Sequence, residues 1–201
     1  MVLTINLHKF HFHHPLQYNR RMGLSHQPHL HPLIGLGASS SDIHFYIANR
    51  PPMDDYPTLA ELRGLAAGEL AHIVKHTSNH WRKAFNVYAK LLFDWYTQQG
   101  RKDLPARWQE YRDLELFQPH SREALVFSPL PPPQVTTHTL KIIAGKTYAA
   151  RLDLPPLVWL DAHFAINRDH HIIVAPYPDY RQLSNERIAR LIELMQAMLS
   201  P

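Results

Sequence analysis

Polar side chains gather just beyond four short apolar runs, and proline or glycine punctuates each junction. Ala48 is followed by Asn49, Arg50 and Pro51, and Phe127 by Ser128 and Pro129. Ala144 is followed by Gly145 and Lys146. Ala175 leads into Pro176, Tyr177, Pro178, Asp179, Tyr180 and Arg181. If the runs are parallel strands, these ends fall on one edge of a sheet and face one crevice. Asn49 could hold an amide-like edge or position a water. Arg50, Lys146 and Arg181 suit phosphate. Tyr177 or Tyr180 could stack on a base. Ser128 and Asp179 add a hydroxyl and a carboxylate. The plain alternative is that proline merely ends strands and the charges are solvated; four coincident junctions favour the crevice.

The elements that must position these residues follow from periodicity. Ile172–Ala175 is an unbroken apolar run suited to a strand buried on both faces. Pro176 and Pro178 end it, because neither can donate to a ladder. Ser184 then reads as an N-cap. Ile188, Leu191, Ile192, Met195, Met198 and Leu199 recur at helical spacing beyond it. Ile43–Ala48, Leu125–Phe127 and Leu140–Ala144 read as further strands, with a short one at Leu157–Leu160. Helices are expected from Thr58 to about Lys75, over Asn79–Tyr96, around Arg107–Leu116 and over Tyr148–Leu152. In the second of these, Trp81, Phe85, Tyr88, Leu92 and Trp95 form one stripe, a pattern of core rather than of a cofactor box. The alternation predicts a three-layer α/β/α fold around a central, mainly parallel four-stranded sheet. Residues 42–201 form the single α/β domain of this reading, and residues 1–41 a flexible His-rich tail.

Of 201 residues none is Cys, which removes disulfides, thiolate catalysis and Cys-ligated metals and fits a cytoplasmic protein. No apolar run approaches membrane-spanning length. The net charge is +4, but Lys9, Arg20 and Arg21 lie in the first 41 residues, where no acid occurs; subtracting them leaves +1. Basicity alone therefore argues little for nucleic acid. Seven of the 16 His also lie in that stretch, and His11, His13 and His14 could hold a transition metal.

Other motifs fail on spacing. Gly145-Lys146-Thr147 lacks the second glycine of a phosphate-binding P-loop. His72, His76 and His80 would share a face only on an unbroken helix, and Thr77-Ser78-Asn79 reads as a cap that breaks it. No metal and no cofactor is expected in the domain. Ser128 and Asp179 could enter a Ser–His–Asp triad, but no nucleophile-elbow pattern supports one.

Taken in order, several segments resemble the uracil-DNA glycosylase superfamily, nearest its mismatch-specific uracil/thymine branch. Ile47-Ala48-Asn49-Arg50-Pro51 is similar to that branch's Gly-Ile-Asn-Pro strand end. Asn79-His80-Trp81 opening an aromatic helix is similar to its Asn-x-Phe-Trp. Ile142–Lys146 resembles its strand ending in Gly-Lys, and Ala175-Pro176-Tyr177-Pro178 stands at its final motif. Arg50 separates Asn49 from its proline, and Ala175 replaces the final motif's His or Met. The resemblance implies a glycosylase-like fold, with Asn49 as the catalytic residue positioning water or base, and DNA or a nucleotide as partner. A flipped base would need a pocket, which Asn49, Tyr56 and Asn79 could shape, and a phosphate grip from Lys146 and Arg181. A non-catalytic binding protein on the same fold, and a His-dependent metal site, are the competing readings.

Overall fold

The computed structural model of the protein describes residues 32–132 and 138–199. Its four apolar runs lie side by side as strands β2 (Ile43–Tyr46), β4 (Glu123–Val126), β5 (Leu140–Ala144) and β8 (Ile172–Ala175). They pair parallel in the order β4-β2-β5-β8. The sheet does not stop there. Strands β1 (Gly35–Gly37), β3 (Leu62–Arg63), β6 (Val158–Trp159) and β7 (Ala165–Asn167) extend it to eight, in the order β3-β1-β4-β2-β5-β8-β7-β6. β1 runs antiparallel to β4, and β7 antiparallel to β8. The expected four-stranded sheet is thus corrected to a mixed sheet of eight. β6 falls within the short strand expected at Leu157–Leu160; β1, β3 and β7 have two or three residues each, too few to display a period of two.

β1 also moves the start of the folded body. Leu36 is fully buried, inside the segment read as tail. Gly35 lets β1 approach β4 closely: a Cβ there would lie 2.1 Å from the Leu125 carbonyl oxygen. The His-rich stretch ahead of residue 32, with His11, His13 and His14, lies outside the described residues.

The helices are α1 (Glu69–His76), α2 (Asn79–Gln98), α3 (Trp108–Leu114), α4 (Lys146–Ala149) and α5 (Asn185–Leu199). Alternate strand residues face opposite ways, as the pleat requires. Phe45, Ile142 and Ile173 pack with the helical stripe of α2 and with α5 in one large core. Tyr46, Ile143 and Val174 point to the other face, where α4 is the helix beside them among the described residues and Leu33, Leu62, Leu130 and residues 152–157 also pack. The helical layer is therefore thick on one side and one turn deep on the other. The stripe Trp81, Phe85, Tyr88, Leu92 and Trp95 is buried throughout. Each such side chain contributes roughly 1.5–3 kcal/mol of burial.

The helix expected from Thr58 is replaced by a 3-10 turn at Tyr56–Thr58, then β3, then α1 behind Gly68. Gly64 and Gly68 interrupt the leucine spacing that suggested a continuous helix. Among the described residues one acidic side chain is fully buried: Glu123 accepts from the Tyr96 and Tyr111 hydroxyls at 2.9 and 2.8 Å. Among the described residues no helix is long and apolar enough to cross a membrane.

Candidate ligand site at the carboxyl edge

From β2 the chain passes to β4 on one side; from β5 it passes to β8 on the other. Such a reversal opens a crevice between the carboxyl ends of β2 and β5. Asn49 follows β2, Gly145 and Lys146 follow β5, and Tyr177 follows β8.

Tyr177 is the centre of the arrangement. Its hydroxyl donates to Nε2 of His80, in the first turn of α2, at 2.5 Å. The two rings lie 5.1 Å apart. Burial pushes the Tyr177 phenol up to about 12, a hydrogen bond from the Asn49 side chain opposes that rise, and the Asp179 carboxylate adds to it. Burial holds His80 below the usual histidine range; Asp179 opposes this and Lys83 reinforces it. A neutral imidazole accepting from a protonated phenol follows from both shifts.

Asp179 shapes the loop around them. One carboxylate oxygen accepts from the Arg181 N–H at 3.0 Å, and the other meets Lys83 Nζ at 3.2 Å. These contacts hold its carboxyl below the ordinary range. Its backbone carbonyl accepts from the Gln182 and Leu183 N–H groups. Asn49 and Asp179 therefore converge on the same phenol.

Beside Tyr177 lies a cavity of about 180 Å³, lined among others by Gly145, Lys146, His163, Arg181 and Arg187. No carboxylate lines it. Gly145 has φ 99°, a left-handed backbone that glycine tolerates best, and its N–H donates to the Ala175 carbonyl at 2.8 Å. That bond brings Lys146 to the cavity mouth, with its ammonium 4.5 Å from the centroid of the exposed Trp159 ring. Arg187 donates to His163 Nε2 at 2.8 Å and to the Gln182 carbonyl. The cavity can hold a small anion; Tyr177, Asn49 and His80 present polar groups next to it.

Four of the residues expected at the crevice do other work. Arg50 donates to the Pro57 and Leu59 carbonyls, at 3.0 Å each, and stacks over Phe127, so it latches its own loop. Tyr56 is buried and donates to Glu69, under the Arg63 guanidinium, tying the 3-10 turn to α1. Ser128 is buried and accepts from the Ile34 N–H at 3.2 Å, anchoring the entry to β1. Asn79 accepts from Arg82 and lines a different groove, between α2 and α5. Asn49, Lys146, Tyr177, Asp179 and Arg181 do come together. His72 and His76 stack on α1 while His80 turns away on α2, and no metal-binding cluster occurs among the described residues.

Sequence reasoning missed His80 as a partner of Tyr177, and missed Lys83, His163 and Arg187 altogether. His80 had a signal, since it opens the aromatic helix. The other three have no motif or spacing to mark them.

Fold and edge define an α/β domain whose candidate ligand site lies at the carboxyl ends of its parallel strands. The chain belongs to a family of unknown function, DUF6942, whose model matches residues 34–196, from just before β1 to within α5. No curated protein matches it, and no solved structure does.

Proposed function

We propose that the domain binds a nucleobase together with its phosphate, in DNA or as a nucleotide, in the manner of a uracil-DNA glycosylase-like protein. The observation that carries this reading is the meeting of Asn49, Tyr177 and His80 beside a cavity lined by Lys146, Arg181 and Arg187 and by no carboxylate. The cations offer charge and forked donors to phosphate. The Asn49 amide offers a donor and an acceptor to a base edge.

Hydrolysis of the N-glycosidic bond is the reaction this layout would serve. Water held by Asn49 would attack the sugar carbon, the carbon–nitrogen bond would break, and the base would leave with the electron pair and take up the proton that the water releases. The neighbouring cations would stabilise the charge on the departing base.

A second reading, a non-catalytic binding protein on the same scaffold, is favoured by one feature. Asp179, the carboxylate of the rim, is already held by Lys83 and by the Arg181 N–H. That engagement leaves it poorly placed to activate water.

One experiment separates the readings. The protein is incubated with uracil- and mismatch-containing oligonucleotides, single- and double-stranded, with Asn49→Ala alongside. Abasic product from wild type alone establishes the hydrolase. Binding without product, weakened in Asn49→Ala, leaves the binding reading. Neither binding nor product, with nucleotides also failing to bind, removes both.

A further inference from the structure

A larger cavity lies beside Tyr180 and Leu183 of the loop after β8, between the amino-terminal half of α2, the start of α3 and the first turn of α5. It has a volume of about 360 Å³ and shares no lining residue with the carboxyl-edge cavity. We propose that it is a separate binding site for a planar organic anion: an aromatic ring carrying a single acidic group.

Charge sets the sign of the ligand. Arg82, Lys83 and Lys90 line the groove, and no acid does. Lys83 is neutralised by Asp179. The other two are held differently. Arg82 donates to the Asn79 carboxamide at 2.7 Å, and Lys90 donates to the Asn185 carboxamide at 2.5 Å. Among the described residues neither has a carboxylate within ion-pair distance; Asp94, one turn further along α2, only feels the charge of Lys90. Two cations resting on neutral oxygens leave positive charge uncompensated in the groove. Asn79 and Asn185 are also the first residues of two long helices, whose amino ends add to the positive field.

Shape and polarity set the body of the ligand. Trp108 and Tyr180 both line the groove, and Val87 and Ile188 supply apolar surface. Tyr180 is 55% exposed, a large ring with the Lys83 ammonium 5.1 Å from its centroid and much of its surface open to a ligand. A bare inorganic anion would use the cations and waste the rings. A ring-bearing anion uses both, and the volume lies in the range of small-molecule sites rather than of a polymer groove.

The test uses 1-anilinonaphthalene-8-sulfonate as probe, with the full chain folded at neutral pH. One saturable site is expected by fluorescence titration. Arg82→Glu and Lys90→Glu should each weaken it at least tenfold, and Arg187→Glu, at the other cavity, should leave it within twofold. Excess inorganic phosphate should not displace the probe. Absence of saturable binding overturns the proposal. So does affinity indifferent to Arg82→Glu, or lost equally with Arg187→Glu. If Lys90→Glu fails to fold, Arg82→Glu decides alone, because that side chain is exposed and its hydrogen bond is to the neighbouring Asn79 carboxamide. The readout is independent of nucleotide or DNA binding at the carboxyl edge, so each idea can fail without the other.

Discussion

The Tyr177 hydroxyl donates to Nε2 of His80, across 97 residues of chain and 2.5 Å of space. The bond joins the end of β8 to the start of α2. It fixes the phenol at the mouth of the cationic cavity, with Asn49 at the same hydroxyl. The Tyr177→Phe variant keeps the ring and loses the bond. It should fold, with a stability loss of about 1 kcal/mol. Affinity for a uracil-containing oligonucleotide should fall by roughly tenfold, equivalent to about 1.4 kcal/mol. Fluorescence anisotropy checks it; unchanged affinity would show that the phenol does not meet the ligand.

Lys146 and Arg187 both line the carboxyl-edge cavity. If Lys146 contacts a phosphate, Lys146→Ala weakens oligonucleotide binding for every sequence alike. The slope of log affinity against log salt should shrink by about one. A salt titration of both proteins reads this directly. An identical slope would place Lys146 off the path of the ligand.

His44 makes stability depend on pH. It is buried beside Ser41, and burial, aided by Lys141 and opposed by Asp42, lowers its pKa to about 4. The unfolded chain protonates this histidine near its usual value of 6.5. The stability contribution is therefore complete above that value and is lost as pH falls through the window toward about 4. The loss amounts to roughly 3 kcal/mol over the window. Urea unfolding of wild type and His44→Gln from pH 7.5 to 4 should show a shallower decline in the variant. Parallel curves would mean that His44 is not the group that titrates.

Gly35 tests the placement of β1. A methyl group there meets the Leu125 carbonyl oxygen at 2.1 Å, so a strand must shift. Gly35→Ala should cost about 2–3 kcal/mol, the usual scale of overpacking. Chemical denaturation measures it. An unaffected midpoint would argue that β1 is not docked on β4.

The four apolar runs and the aromatic stripe of α2 were legible in the chain because each signal is local. Proline marks where a run stops, and a spacing of three and four marks a buried helix face. The sequence by itself therefore determined that Asn49, Lys146 and Tyr177 follow strands. Only the tertiary structure decided which polar groups meet. Whether an arginine turns to backbone carbonyls, as Arg50 does, or lines a cavity, as Arg187 does, depends on partners far away in sequence. The same holds for β1: two glycines around one leucine carry no period, and only the neighbouring β4 and β3 give them strands to join. Contact across long sequence separations is set by packing, which no local pattern encodes.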